Sequence, residues 1–224
     1  MDNNLNFYIV EDKLHSACCA LRDGLIVAHA TETVYGLAVD PWQPVAVENL
    51  LRMKGRDACK GLVLLVPNRQ VLPSLTREVS PLARQLIDLF WPGPLTILFP
   101  ARKAIPVSVS GGGDWVAVRH SSSPLVQALM QRWDKPLIST SANRSGAPPL
   151  TTSAEIEKLW GRELACILPG QIALNALPST IIRVEGDRWQ IVRDGAISRA
   201  AIGAALSAAK EPLSCRPCHF TNGS

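Results

Sequence analysis

Aromatic side chains are scarce in this 224-residue chain, at 5%, and charged residues reach only 19%. So few aromatics argue against a surface that stacks single-stranded nucleic acid. No unbroken apolar run is long enough to cross a bilayer, so no contact with a membrane is expected. Met1-Asp2-Asn3-Asn4-Leu5-Asn6 shows no basic region followed by an apolar core, and no secretory signal is expected from it. Six cysteines, Cys18, Cys19, Cys59, Cys166, Cys215 and Cys218, are spread irregularly, as reduced thiols are and disulfide frameworks are not. These absences point to a cytoplasmic protein.

Several chemistries are missing too. The glycines match neither the dinucleotide fingerprint nor the P-loop. Ser139, Ser141 and Ser145 lack the nucleophile-elbow pattern, and no His/Cys/Asp set has the spacing of a catalytic metal site. Cys215-Arg216-Pro217-Cys218-His219 has the spacing of c-type haem attachment, but without an export signal the match reads as accidental.

What is present is a core. Hydrophobic residues make up 47% of the chain, enough for one sizeable domain. A formal net charge of +4 leans towards an anionic partner without the strong basic bias of a nucleic-acid clamp. Leu14, Cys18 and Leu21 recur at helical spacing before Gly24, and 25–28 reads as a buried strand running into His29-Ala30-Thr31-Glu32-Thr33-Val34-Tyr35-Gly36. Residues 45–53 are helical and deliver a cationic loop, and 61–66 is a strand. Ser80 caps a helix over 81–90 with Pro81 at its first position, and Ser123-Pro124 starts another. Strands follow at 95–99, 115–118, 180–184 and 189–192, with helices over 153–160 and 199–210. Adjacent strands near the end suggest hairpins, so the expected fold is α/β with a mixed parallel and antiparallel sheet.

Polar chemistry gathers at the strand ends. Ser139-Thr140-Ser141-Ala142-Asn143-Arg144-Ser145-Gly146 follows the apolar step 136–138 and reads as a strand opening into a loop. Its hydroxyls, amide and backbone N–H groups suit a polyanion, and ligands in open α/β sheets settle at such strand termini. Lys54, Arg56 and Lys60 lie in one loop opposed only by Asp57, a cation set suited to a triphosphate. Arg119 and Arg193 also stand at strand ends, and His29 and His120 sit beside them.

Six motifs in order carry a resemblance. They are Thr31 to Gly36, the Lys54-x-Arg56…Lys60-Gly61-Leu62 loop, Trp91-Pro92-Gly93-Pro94-Leu95-Thr96, Ala117-Val118-Arg119, Ser139 to Gly146, and Pro178-Ser179-Thr180 with Val192-Arg193-Asp194-Gly195. Together they resemble the YrdC/TsaC family of threonylcarbamoyl-AMP synthases, in its short, single-domain form. The likeness covers residues 8–200 as the catalytic domain, leaving 201–224 as a helix end and polar tail.

The resemblance implies a twisted mixed sheet with flanking helices around a basic cavity. It implies that L-threonine, bicarbonate and ATP, with Mg²⁺, give threonylcarbamoyl adenylate and pyrophosphate. The product then passes to machinery that modifies adenosine 37 of tRNA, with weak RNA binding as an accompaniment. Lys54 and Arg56 are implied as catalytic, and Lys54, Arg56, Lys60, Ser139, Ser141, Asn143 and Arg193 as ATP-binding. Thr33, Arg119 and Ser179 are implied to hold threonine. The chain departs from the family pattern at Ala30, Leu65 and Trp115. Two other readings stay open: an RNA-binding module without catalysis, which predicts steeply salt-dependent RNA affinity, and a carbamoyl-transfer paralogue acting on another amine.

Overall fold

The computed structural model describes residues 2–173 and 175–209, with side chains from Val10 onward. Strands β1 (Ile26–Ala30), β2 (Tyr35–Val39), β3 (Val63–Leu65), β4 (Leu95–Pro100), β5 (Trp115–Arg119), β6 (Leu137–Ser141), β7 (Leu164–Ile167), β8 (Thr180–Glu185) and β9 (Arg188–Arg193) form one sheet. Its order is β7-β1-β2-β6-β3-β5-β4-β8-β9. The pairs β1/β7, β3/β5 and β4/β8 run parallel, and the remaining pairs run antiparallel. The mixed α/β sheet expected from the sequence is the one observed.

Helices are α1 (Asp2–Arg22), α2 (Pro44–Lys54), α3 (Leu72–Leu75), α4 (Pro81–Phe90), α5 (Val107–Ser110), α6 (Pro124–Trp133), α7 (Ser153–Trp160) and α8 (Arg199–Ala208). Local chemistry sets several starts. Ser80 and Ser123 each accept a backbone N–H of the first turn, with proline next in sequence. Thr152 and Glu155 close a reciprocal capping box at α7. No helix among the described residues is long and apolar enough to cross a membrane.

Side chains alternate across the sheet and build two separate cores. Ile26, Ala28, Leu37, Val39, Leu64, Ile97, Val116, Val118, Ile138 and Ile182 pack with α2, α4, α7 and α8. Val27, Ala38, Leu65 and Leu137 pack on the other side with α1 and α6. Burial on both faces explains why these strands read as continuous apolar runs, not as alternating ones. Coverage is uneven, however. Helices α1 and α6 cover β7, β1, β2, β6 and the Leu65 end of β3 on their face and leave the rest of that face without a helix. Val63, Leu98, Ala117 and Ile181, which alternate with core residues on β3, β4, β5 and β8, stay half-buried and floor a cavity.

Three differences from the sequence reading bear on that cavity. First, Tyr35–Val39 is a strand, so 31–34 is a hairpin turn. Second, β6 extends through Ser139 and Ser141, because both flanking strands pair with it: Ser139 opposes Ala38 and Val63, and Ser141 opposes Gly36. Backbone pairing on two sides outweighs the turn preference of serine. Third, Leu164–Ile167 adds an edge strand. Helix α8 contributes Ile202 and Leu206 to the larger core. The Cys215-x-x-Cys218-His219 tail lies outside the described residues.

Candidate active site

The cavity holds about 580 Å³ above the open half of the sheet. Thr33, Arg56, Arg119, Ser139, Ser141, Asn143, Ser179 and Arg193 all line it, and its lining includes no carboxylate. Residues as far apart in sequence as Thr33 and Arg193 thus face one space. Their charges interact: Arg193 is lowered from its usual pKa by burial, then by Arg119 and Arg56. Burial lowers Arg56 too. Three cations held this close, with no carboxylate in the cavity lining, favour an anionic ligand.

Each wall is fixed by its own local logic. In the 31–34 turn, Thr31 Oγ1 accepts the N–H groups of Thr33 and Val34 at 3.0 Å each and donates to Val34 O at 2.7 Å. That turn buries Thr33 and sends Glu32 towards Arg119. Arg119 donates from Nε to Gly93 O (3.2 Å) and from Nη1 to Thr33 Oγ1 (3.1 Å), and Nη2 pairs with Glu32 Oε1 at 2.8 Å. Glu32 also accepts the Ser121 hydroxyl and the Ser122 N–H. Glu32 was absent from the sequence-based site, although the polar runs Thr31-Glu32-Thr33 and Ser121-Ser122-Ser123 flag both partners.

Lys54 is placed differently from a free cation. Its side chain is buried, and Nζ donates to Ser141 O, to Asn143 O at 2.7 Å and to Asn143 Oδ1 at 3.5 Å. Gly55, at φ +60°, ends α2 and lets the chain turn away. The lysine thereby ties α2 to the loop after β6, and Ser145 N–H reaches back to Lys54 O at 2.9 Å. Burial first, then Arg56, brings its ammonium down to about 8.

Arg56 folds over its own loop and donates to Gly61 O at 2.9 Å and Lys60 O at 3.3 Å. The Lys60 side chain is exposed and is not part of the cavity lining. Beside it, Gly111 at φ +67° packs so tightly that a Cβ would stand 2.4 Å from Cys59 O. Across the cavity, Arg193 Nη2 donates to Ser179 O (2.7 Å) and Oγ (3.0 Å), and Ser179 Oγ meets Thr96 Oγ1 at 2.8 Å. Leu65 and Trp115 line the floor, with Arg183 stacked 4.1 Å from the Trp115 ring.

One buried group, His29, and one half-buried group, Glu32, give the fold an acid response of known sign. Burial and then Arg119 push His29 from 6.5 down to about 4, against an opposing pull from Glu32. Burial by itself would raise Glu32, but Arg119 and the hydrogen bonds from Ser121 and Ser122 outweigh it and hold the carboxyl at about 2 instead of 4.5. Both folded values are depressed, so the unfolded chain takes up protons first and stability falls with acid. The His29 contribution is lost from about pH 6.5 to 4 and that of Glu32 from about 4.5 to 2. Thermal melts over this range should decline twice, with the upper decline shrunken in His29→Gln and the lower in Glu32→Gln. A wild-type melting temperature that stays level between pH 6.5 and 4 would contradict a buried neutral His29.

No group of three or more His, Cys, Asp or Glu side chains among the described residues could hold a metal ion. The cavity offers hydroxyls, amides and guanidiniums instead.

Comparison with known proteins adds identity to this geometry. The Sua5/YciO/YrdC family model, described as telomere recombination, matches residues 19–195. Threonylcarbamoyl-AMP synthase of Photobacterium profundum is 40% identical over 172 residues, covering 76% of this chain and 93% of that protein. Its namesake from Escherichia coli K12 is 37% identical over 183 residues, covering 81% and 94%. The crystal structure of P. abyssi Sua5 complexed with L-threonine superposes with a TM-score of 0.82 at 30% identity. That match covers 86% of this chain and 57% of the Sua5 chain.

Proposed function

The chain belongs to the Sua5/YciO/YrdC family, and from that premise we propose that it is a threonylcarbamoyl-AMP synthase. The observation that supports this most is one cavity lined by Arg56, Arg119 and Arg193 together with Thr33, Ser139, Ser141, Asn143 and Ser179, without a carboxylate.

The chemistry joins three substrates. The threonine amine and bicarbonate condense to a carbamate with loss of water. A carbamate oxygen then attacks the α-phosphorus of ATP, and the bond to the β-phosphate breaks as pyrophosphate leaves. Such a displacement asks the protein for alignment and charge neutralisation more than for covalent help. Arg56 and Arg193, with Ser141 and Asn143, face the triphosphate, and Arg56 neutralises charge as it develops. Thr33, Arg119 and Ser179 hold threonine, with Arg119 offering its guanidinium to the carboxylate. Lys54 acts from behind, by holding the Ser141–Asn143 backbone in place. Lys60, at the exposed edge of its loop, meets the outermost phosphate as it enters. Mg²⁺ arrives on the triphosphate as part of the substrate.

The product, a reactive mixed anhydride, goes to a tRNA-modifying partner in the cytoplasm, where a net charge of +4 allows weak RNA contact. Incubation with L-threonine, bicarbonate and MgATP should release pyrophosphate only when threonine is present. Threonine-independent release, or none, would sink the proposal. Preference for another amino acid in the same assay would move the enzyme to a different amine substrate.

A further inference from the structure

His29, to which the reaction above gives no role, pairs with Ser139 of the cavity wall. They lie 110 positions apart in sequence and meet with His29 Nε2 3.1 Å from Ser139 Oγ. Gly36 makes the contact possible. A Cβ there would stand 2.7 Å from Ser139 Oγ and 2.9 Å from His29 Nε2. The other ring nitrogen, Nδ1, is buried and has no hydrogen-bond partner among the described residues.

The ring is uncharged at neutral pH, since burial and Arg119 oppose its protonation while Glu32 offsets only part of that. Its single proton therefore has two possible positions. On Nδ1 it would be a buried donor without an acceptor, the rarer and worse kind of orphan. On Nε2 it meets Ser139 Oγ, and only a bare lone pair is left at Nδ1. With Nε2 as donor, the serine oxygen accepts. The serine proton then has no other acceptor among the described residues, and Ser139 lines the cavity.

We infer that His29 is a positioning residue whose Nε2–H holds the Ser139 oxygen and turns the Ser139 O–H into the cavity as a donor to an anionic oxygen of the ligand. A serine free to rotate would spend part of its time donating to the imidazole, so the histidine converts an ambiguous hydroxyl into a fixed donor. The identity of that oxygen, a phosphate oxygen of ATP, rests on the synthase reading. The tautomer does not.

Long-range ¹H–¹⁵N correlation of the histidine rings in the ligand-free protein reads the tautomer directly. One of the four histidines, identified by its loss in His29→Gln, should show a protonated Nε2 and a bare Nδ1 and should not titrate between pH 5 and 8. A protonated Nδ1, or a doubly protonated ring at pH 7, overturns the inference whatever reaction the enzyme runs. Function is tested by a cycle on the folded full chain. His29→Phe and Ser139→Ala should each weaken ATP binding about tenfold in calorimetry, the worth of one hydrogen bond to a charged group. The double variant should bind ATP no worse than Ser139→Ala alone, and His29→Gln, which keeps an amide donor, should recover most of the loss. Additive losses would assign His29 a packing role and overturn the positioning one. If the wild type binds no ATP, the synthase reading fails, and the ring spectrum still decides the tautomer.

Discussion

Arg119→Ala should lower kcat/KM for threonine-dependent pyrophosphate release by about a thousandfold and, separately, destabilise the fold by about 3–5 kcal/mol. Both effects come from one guanidinium. Its side chain is only 6% exposed, and the Glu32 carboxylate beside it is 20% exposed. Removing the cation leaves that carboxylate with two hydrogen-bond donors and no countercharge. It also leaves Thr33 Oγ1 and Gly93 O without their donor. The double variant Glu32→Gln/Arg119→Ala separates the effects, because it removes the stranded charge. Chemical denaturation should show stability largely restored in the double variant, while the turnover assay stays as low as in the single one. Activity within tenfold of wild type in a folded Arg119→Ala protein would take the residue out of the threonine site. Arg119→Lys should fare little better than alanine, since an ammonium cannot reach Gly93, Thr33 and Glu32 at once.

Lys54→Met should cost about 1–3 kcal/mol of stability, because Asn143 O loses its ammonium donor and Ser141 O keeps only the Asn143 N–H. In a chain of this size that corresponds to a fall of roughly 2–12 °C in Tm. Turnover should drop about a hundredfold, because the segment carrying Ser141 and Asn143 is no longer held against α2. Methionine preserves the volume of the buried stem, so the change isolates the ammonium. An unchanged Tm combined with a raised KM for ATP alone would instead place the ammonium on the triphosphate and refute the anchoring role. The sequence suggested that more direct role because Lys54 stands beside Arg56. The two side chains nevertheless diverge, since Lys54 closes a helix that packs inward and Arg56 follows the left-handed Gly55.

Much of the fold was readable from local pattern. Ser80-Pro81 and Ser123-Pro124 announce their helices because a capping hydroxyl and a proline with preset φ act over three or four residues. The strands 95–99 and 115–118 stand out because one face packs in the core and the other floors the cavity with apolar, half-buried side chains. Tyr35–Val39 was hidden, since its glycine and its neighbouring threonines look like loop until β1 and β6 pair on either side. The same holds for Ser139 and Ser141, whose extended backbone comes from partners about 75 and 100 residues earlier in the chain.

By itself, then, the sequence determined which segments become helices and strands and which polar residues are available at their ends. Periodicity, caps and turn residues act between near neighbours, and they survive without knowledge of the whole. Only the tertiary structure decided which half of one sheet face stays uncovered, that Lys54 turns inward, and that Glu32 and His29 stand behind Arg119 and Ser139. Those outcomes depend on pairings between residues roughly 80 to 110 positions apart. Burial there changes the energy of each charge and each proton only once the strands have met.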